Sequence, residues 1–285
     1  MHRIGVVAKP KKPELISILG SLVEWLTQRG RQVVLDQDAA AIFPGTGAGL
    51  ARGEVVASSD LVVVLGGDGT ILSVARAIRE REVPILGVNL GGLGFLTEIT
   101  LEELFPTLER VLKGEYAVSR RATLNACVLR GGDRIASHEA LNDVVITKTA
   151  PSRIVDLETL VNGEYVATFR ADGLIVSTPT GSTAYCLAAG GPIIYPSLPA
   201  VVIIPICPHT LTNRPLVVPD SAAVEIVLGS AGEEIHLTVD GQVDVPLCHR
   251  DVVAVRRSER TIALIKSSRL NYFELLRTKL KWGER

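Results

Sequence analysis

The chain has 285 residues, a formal charge of −1 and a sequence pI of about 6.5, so it carries no overall basic field that would attract nucleic acid or an anionic membrane. Hydrophobic residues make up 47% of the chain and the mean hydropathy is +0.30, enough for one large core or two domains. The most apolar stretch, residues 199–208, is about half as long as a membrane-spanning helix must be, so we expect no membrane span.

The chain starts directly with a predicted strand and shows no apolar core of signal-peptide length, so we expect a cytoplasmic protein. Its four cysteines and five histidines are scattered, without the paired spacing of a zinc site. We therefore expect reduced thiols and no dedicated metal cluster.

Up to about Gly114, short apolar strands alternate with helical segments, a pattern typical of βαβ units and a parallel sheet. The stretch 39–53 is rich in glycine and alanine and is predicted to be a loop. Pro106 is expected to kink its helix or delay the first turn. The predicted strands are 3–8, 32–35, 61–65 and 84–88, and the predicted helices are 13–29, 71–79 and 101–113.

After Gly114 the pattern changes to short strands separated by Gly, Asp and Asn turns. Asn162-Gly163 between two apolar runs is a strong hairpin signal, and Asp240-Gly241-Gln242 also reads as a hairpin turn. The predicted strands are 128–130, 134–136, 144–147, 155–161, 165–170, 174–176, 201–206, 223–228, 235–239, 252–256 and 262–265, followed by a helix over 272–280.

These patterns predict two domains. The first is an α/β, Rossmann-like domain with a parallel sheet, over residues 1–118, and the second is a mostly β domain over 119–267. The terminal segment 268–285 is expected to pack back on the first domain.

The all-apolar run 61–65 ends at Gly66-Gly67-Asp68-Gly69-Thr70. Such a run is typical of a strand buried on both faces of a parallel sheet, and ligands bind beyond the carboxyl ends of these strands. The glycines can take positive φ and bring N–H groups close to phosphate, while Thr70 can cap the next helix. Asp68 could hold a metal ion against phosphate or take a proton from an attacking hydroxyl. A tight turn with a solvated aspartate is the alternative.

A second glycine-rich loop, residues 89–96, follows the next predicted strand, 84–88. Two adjacent strand ends with such loops would form one cleft in which a nucleotide could lie. Neither loop carries a Walker A pattern or a Gly-x-Gly-x-x-Gly fingerprint, so the binding device is a different one.

The segment 177–185 contains six hydroxyl side chains directly after a predicted buried strand. These hydroxyls suit a polyhydroxylated or heterocyclic ligand, although an ordinary capped helix would also use some of them. Asn142-Asp143 precedes another strand, and in isolation such a pair is most often a turn or a cap.

Taken together and in this order, Gly66 to Thr70, Asn142-Asp143 and the run from Asp172 to Tyr185 resemble the signatures of bacterial NAD kinases. The resemblance covers nearly the whole chain. Diacylglycerol and sphingosine kinases and phosphofructokinases share versions of the first motif, whereas the run 178–185 is specific to NAD kinases. That family transfers the γ-phosphoryl of ATP to the 2′-hydroxyl of the adenosine ribose of NAD, giving NADP and ADP.

The resemblance also implies roles for individual residues. Asp68 corresponds to the proton acceptor and, with Gly69, borders the NAD and phosphate sites, while Asn142 and Asp143 match the pair that holds the ribose. The phosphate contacts fall on Gly66, Gly67, Gly69 and Thr70, and the further dinucleotide contacts on Arg153, Arg170, Asp172, Thr183, Ala184, Tyr185, Cys186, Leu187, Ala188 and Gln242.

Mg²⁺ or another divalent cation is expected with the substrates ATP and NAD, and the assembly is expected to be a homodimer or homotetramer. The chain departs from the family pattern at two places: Asp143 stands where glutamate is frequent, and Cys186 stands where serine is common.

Two other functions stay open at this point. A lipid kinase with the same glycine turn would need an apolar groove for its acyl chain, and the hydroxyl-rich segment 178–185 argues against it. A catalytically silent NAD or NADP sensor would keep the binding loops, and the retained Asp68 argues against that.

Overall fold

The computed structural model describes residues 1–9, 14–43, 47–79, 81–148, 154–230 and 234–283. The chain divides into two compact units, Met1–Arg120 with Ile262–Arg285 (unit 1) and Arg121–Thr261 (unit 2). The predicted fold class, an α/β part followed by a mostly β part, is confirmed. Elements are numbered in chain order, and the chain crosses between the units within two long strands, β5 (Val118–Arg130) and β16 (Val252–Ile265).

Unit 1 is built on a parallel sheet in the order β2-β1-β3-β4, with the end of β16 beside β4. All five residues of β3 are buried, as expected for a strand that is covered on both faces. The elements are β1 (Arg3–Ala8), α1 (Leu15–Gln28), β2 (Gln32–Leu35), α2 (Gln37–Ile42), α3 (Arg52–Ser58), β3 (Leu61–Leu65), α4 (Asp68–Ala77), β4 (Ile85–Val88), α5 (Leu104–Leu112) and α7 (Tyr272–Leu280).

The predicted loop over 39–53 is correct only in its middle: α2 extends to Ile42 and α3 begins at Arg52, whereas residues 47–51 form no helix. Residues 44–46 lie outside the described part of the chain. Local caps explain both helices. The Asp36 carboxylate accepts from Ala39 N–H at 2.9 Å, and the Glu54 carboxylate accepts from Ala51 N–H at 2.9 Å. These caps stabilise two helices whose glycine-rich surroundings suggested a loop.

Two other helix starts differ from the prediction. Helix α4 begins at Asp68 and not at Ile71, so Thr70 lies inside it and does not cap it. Helix α5 begins at Leu104, three residues after the predicted start, which agrees with the delayed first turn expected from Pro106. Pro106 itself lies in the first turn. A proline is tolerated there because the first N–H groups of a helix have no intrahelical partner.

The last helix, α7, packs within unit 1. Asn271 caps it by accepting from Glu274 N–H at 2.9 Å, and Leu275 and Leu276 are buried. The Lys279 ammonium lies 5.8 Å from the centre of the Phe95 ring. No helix in the described part of the chain is long and apolar enough to span a membrane, and the four cysteines are free.

Unit 2 contains two antiparallel sheets around one core. The six-stranded sheet has the order β12-β11-β10-β7-β14-β15; the other joins β16, β13, β8 and β9, with the hairpin β5-β6 alongside β16. Both sheets contribute to the core, for example through Val144 and Leu174 of the first and Leu157 and Val224 of the second. The remaining elements are β6 (Asp133–Ala140), β7 (Asp143–Lys148), β8 (Val155–Val161), β9 (Glu164–Ala171), β10 (Gly173–Ser177), a 3₁₀ helix (Gly181–Thr183), α6 (Tyr185–Ala188), β11 (Ala200–Ile206), β12 (Leu216–Pro219), β13 (Val224–Leu228), β14 (Ile235–Val239) and β15 (Val243–Leu247).

Strand β16 is one continuous strand where the sequence predicts two, 252–256 and 262–265. The intervening residues are mostly charged and polar, so they carry no apolar signal, but the strand continues because it pairs with the long neighbour β5. Strands β12 and β15 were not predicted, since each is short and contains proline.

The Asn162-Gly163 hairpin is confirmed: it joins β8 to β9, with φ of 54° at Asn162 and 79° at Gly163. We expect Gly163→Ala to lower the free energy of unfolding by about 1 to 2 kcal/mol, because alanine is strained at positive φ. Urea unfolding measures this change.

The matched control is Gly53→Ala in α3, where a Cβ would meet open space and the backbone is helical. This variant should be stabilised by up to about 1 kcal/mol. Equal effects of the two substitutions would contradict the assigned turn geometry.

Candidate active site

Unit 1 has a cavity of about 460 Å³ at the carboxyl ends of β1, β3 and β4. Both predicted glycine-rich loops border it, as expected for neighbouring strands of a parallel sheet. Its lining residues are Lys9, Gly66, Gly67, Gly69, Thr70, Asn89, Leu90, Gly91 and Gly92.

The glycines of the first turn do not take positive φ, and close packing accounts for Gly66. Gly66, Gly67 and Gly69 are absent from the positive-φ positions of the chain, and Gly67 is extended at φ −99° and ψ −176°. A Cβ at Gly66 would lie 2.7 Å from the Thr70 hydroxyl oxygen. The turn therefore leads tightly into α4, whose amino terminus, the positive end of the helix dipole, lies at the cavity.

The Asp68 carboxylate joins the two loops. Its Oδ2 accepts from Phe95 N–H at 2.9 Å, and its Oδ1 accepts from Leu96 N–H at 3.0 Å and from Thr97 N–H at 3.1 Å and hydroxyl at 3.2 Å. A Cβ at Gly94 would run into both Asp68 Oδ1 and the Thr97 hydroxyl. Asp68 is thus fixed in position, with more room for a further partner at Oδ2 than at Oδ1.

Lys9 and Asn89 line the cavity but were not predicted as individual site residues, although Asn89 lies in the predicted loop 89–96. Lys9 directly follows β1 and brings an exposed ammonium group to the cavity. Asn89 orders the second loop, because its amide donates to the Thr97 hydroxyl at 2.7 Å and its Oδ1 accepts from Gly91 N–H at 2.6 Å. The position of Lys9, one residue after a strand of the parallel sheet, was the available signal.

Unit 2 has an open trough of about 310 Å³ over β7 and β14. Four predicted site residues line it, namely Asn142, Asp143, Ala184 and Tyr185. Val145, Thr147, Thr238, Asp240 and Gly241 complete the lining and were not predicted as site residues. Val145, Thr147 and Thr238 lie there because residues two apart share a face of the sheet, whereas Asp240 and Gly241 belong to the turn after β14.

Asp240 fixes the start of β7. Its carboxylate accepts from the N–H groups of Leu141, Asn142 and Asp143 at 2.9, 2.7 and 3.2 Å, and its own N–H donates to the Asp143 carbonyl at 3.0 Å. The predicted hairpin turn at Asp240-Gly241 is correct, with φ of 51° and 61°. The turn pattern gave no indication that the Asp240 carboxylate also binds the backbone at the start of β7. An aspartate is ordinary in such a turn, so the sequence offers no sign of a distant partner.

Asn142 and Asp143, which line the trough, each carry an unusual polar group. The Asn142 Oδ1 is buried and has no hydrogen-bond partner among the described residues. Asp143 is only 4% exposed, and burial, with a further contribution from the Asp240 charge, raises the pKa of its carboxyl to about 7. A buried acceptor without a donor costs free energy, so a ligand that donates a hydrogen bond would be favoured here.

Several hydroxyl groups of the segment 177–185 donate hydrogen bonds to backbone carbonyls. Thr178 donates to the Leu141 carbonyl at 2.6 Å, Ser182 donates to the Pro179 carbonyl at 2.6 Å, and Thr183 donates to the Thr180 carbonyl at 3.2 Å. Ser177, Thr178, Thr180 and Ser182 are all buried. The trough therefore meets only Ala184 and Tyr185 of this segment, and most of its hydroxyl groups hydrogen-bond to nearby backbone.

The other predicted residues lie around or away from the trough. The Lys148 ammonium pairs with the Asp172 carboxylate at 2.8 Å, next to the Thr147 end, whereas Arg170 pairs with Asp156 on the neighbouring strand β8 at 3.1 Å. The Cys186 side chain is fully buried, and burial raises the pKa of its thiol to about 11. Leu187 is half-buried, Ala188 and Gln242 are exposed, and Arg153 lies outside the described residues.

Comparisons with known proteins cover both units. Residues 4–116 match the model of the ATP-NAD kinase N-terminal domain and residues 141–267 match that of the ATP-NAD kinase C-terminal domain. The chain is similar to the NAD kinases of Geobacter metallireducens, at 54% identity, and of Geotalea daltonii, at 53%, in both cases over 100% of each chain.

Solved structures give the same result. The crystal structure of yeast NADH kinase complexed with NADH matches with a TM-score of 0.90 at 25% identity, covering 100% of this chain and 89% of that one. An NAD kinase from Archaeoglobus fulgidus in complex with ATP matches with a TM-score of 0.77 at 26% identity, covering 97% and 99%.

The raised pKa of Asp143 makes stability depend on pH. The folded protein keeps this proton up to about pH 7, whereas the unfolded chain loses it near the ordinary value of 3.8. Between these values the folded state binds more protons than the unfolded state, so the free energy of unfolding falls as pH rises. We expect Asp143→Asn to gain about 2 to 3 kcal/mol over the wild type between about pH 5 and pH 8.

Urea unfolding at the two pH values measures this gain. Asp133→Asn, which removes an exposed carboxylate at the β5-β6 hairpin, serves as the control and should show no gain that depends on pH. An Asp143→Asn variant with the same pH dependence as the wild type would contradict the assignment.

Proposed function

This chain belongs to the ATP-NAD kinase family and phosphorylates NAD with ATP, and we propose that the unit 1 cavity binds the ATP phosphates while the unit 2 trough binds the adenosine ribose of NAD. The observation that carries the proposal is the buried, unpartnered Oδ1 of Asn142 in the trough. A ribose hydroxyl can donate to this atom, and its oxygen can accept in turn.

The phosphate assignment rests on the surroundings of the unit 1 cavity. The amino terminus of α4, the positive end of the helix dipole, lies at the cavity. The glycines carry no side chain that would fill the cavity, and Lys9 adds a positively charged group to its lining. Phosphoryl transfer depends mainly on positioning and on neutralising charge, and this cavity offers both. Gly66, Gly67, Gly69 and Thr70 are proposed as its phosphate contacts.

Asp68 is proposed as the group that accepts the proton of the attacking hydroxyl. The 2′-oxygen of the adenosine ribose forms a bond to the γ-phosphorus of ATP, the bond from that phosphorus to the β–γ bridging oxygen breaks, and ADP leaves. The hydroxyl proton passes to Asp68 Oδ2, the carboxylate oxygen that has a single N–H donor. The three donors on Oδ1 keep the carboxylate oriented.

Mg²⁺ fits this arrangement as a companion of ATP. In the described residues no group of three or more His, Cys, Asp and Glu side chains could hold a metal ion. Mg²⁺ commonly binds through one or two carboxylates together with substrate phosphates and water, and Asp68 is the residue that would hold it. When bound, the ion neutralises phosphate charge.

Further contacts with NAD are proposed for Arg153, Arg170, Asp172, Thr183, Ala184, Tyr185, Cys186, Leu187, Ala188 and Gln242. For Cys186 this contact would involve the backbone, since its side chain is fully buried. A cytoplasmic location and a homodimer or homotetramer remain predictions.

The first test is NADP formation from ATP, Mg²⁺ and NAD by the wild type and by Asp68→Asn. We expect the wild type to form NADP and the variant to lose about a hundredfold or more in kcat, the usual contribution of a general base, with little change in KM for NAD. Asp38→Asn, at an exposed aspartate of the same unit, is the control and should retain full activity.

Other outcomes are distinguishable. A wild type that binds NAD but forms no NADP would be a sensor and not a kinase. An Asp68→Asn variant whose full activity returns when the Mg²⁺ concentration is raised would show that Asp68 acts through the metal alone, which would contradict the proposed proton transfer.

Lys9 is expected to bind phosphate. Lys9→Gln should raise KM for ATP about tenfold, equivalent to the loss of one charge-assisted hydrogen bond of about 1.4 kcal/mol, with KM for NAD unchanged. Steady-state kinetics at low and high salt measure this, and the difference from the wild type should shrink as salt screens the charge. Lys113→Gln removes the same charge from the end of α5, away from the cavity lining, and should leave KM for ATP unchanged.

A further inference from the structure

The two aspartates of the trough have opposite surroundings. Both carboxylate oxygens of Asp240 accept hydrogen bonds from the backbone. Oδ2 accepts from Leu141 N–H, and Oδ1 accepts from the N–H groups of Asn142 and Asp143. Hydrogen bonds of this kind favour the ionised form of a carboxyl group. These contacts therefore stabilise negative charge on Asp240, which lines the trough together with Asp143.

Asp143 receives no such support from the described residues. Its side chain makes no ion pair and no hydrogen bond with them, and it is almost fully buried. The titratable groups that face it are Asp240, from the turn after β14, and Cys186, from α6; opposite it on β10 lies the neutral Ser177. A second negative charge would be both desolvated and repelled by Asp240.

We propose that Asp143 presents a neutral carboxyl group to NAD and donates its proton in a hydrogen bond to a ribose hydroxyl oxygen, while Asn142 Oδ1 accepts a hydrogen bond from the ribose. This inference rests on the proposed function of the trough and specifies the protonation state in which the trough binds NAD.

Hydrogen-bond chemistry supports this pairing. A neutral Asp143 offers a donor beside the Asn142 Oδ1 acceptor, so one ribose hydroxyl can accept from Asp143 while the other donates to Asn142. A neutral group also avoids placing a second negative charge near the anionic pyrophosphate of NAD. Burial and the Asp240 charge, which raise the pKa of Asp143 to about 7, keep the proton available near neutral pH.

The test is NAD affinity as a function of pH, measured by calorimetry on the whole chain from about pH 6 to pH 9. NAD has no group that titrates in this range. We expect wild-type affinity to fall by up to about tenfold for each pH unit above 7, because only the protonated form binds well. Asp143→Asn keeps a donor at this position, so its affinity should stay nearly constant and exceed that of the wild type at the highest pH.

A second readout follows the proton itself. At about pH 8, wild-type binding should take up a proton, seen as a dependence of the binding enthalpy on the buffer, whereas Asp143→Asn should take up none. Labelled aspartate carboxyl carbons should show one NMR signal that titrates near pH 7 in the wild type and is missing in Asp143→Asn. Asp133→Asn should behave like the wild type in both experiments.

The inference is overturned by a wild type whose affinity is flat with pH, or by an Asp143→Asn variant that keeps the wild-type pH dependence and proton uptake. If such a chain still makes NADP, the proposed function stands and only this inference fails. A chain that binds NAD at no pH and makes no NADP refutes the proposed function, and this inference with it.

Discussion

The carboxylate of Asp240 accepts three consecutive backbone N–H groups at the start of β7, and the arrangement of the trough depends on this interaction. From the other side, Thr178 holds the Leu141 carbonyl at 2.6 Å, and a Cβ at Gly181 would run into the carbonyl of Asn142. The backbone N–H groups and the backbone carbonyls of residues 141–143 are thus hydrogen-bonded to groups distant in sequence, as buried backbone requires. With its backbone held in this way, Asn142 can keep an unpaired side-chain oxygen for a ligand.

Unit 1 uses the same device at its own site. The Asp68 carboxylate accepts hydrogen bonds from the N–H groups of residues 95–97. The proposed proton acceptor therefore also holds the second glycine-rich loop in place. The close approach at Gly94 makes this possible, because any side chain there would collide with the carboxylate. Substitution of Asp68 therefore affects both the position of the loop and proton transfer, and kinetic effects at this residue combine the two.

Family membership and physical analysis constrain different parts of the function. The comparisons identify the reaction, whereas the burial of Asp143 and the charge of Asp240 bear on the protonation state in which the chain binds its substrate. The short side chain of Asp143 keeps its carboxyl group close to the β7 backbone. The proton proposed on Asp143 is accordingly attributed to the surroundings of this side chain and does not follow from the family motif alone.

The sequence by itself determined the strands of unit 1, the Asn162-Gly163 turn, the α7 helix and the family, because period, turn chemistry and motif spacing are local properties of the chain. It did not reveal the roles of Lys9 and Asp240, or which hydroxyls of 177–185 face the trough. Those depend on partners brought together by sheet order, such as Asp240 and Leu141, which are 99 residues apart. Only the tertiary structure decided them, since a polar residue looks the same in sequence whether it satisfies a buried backbone group or awaits a ligand.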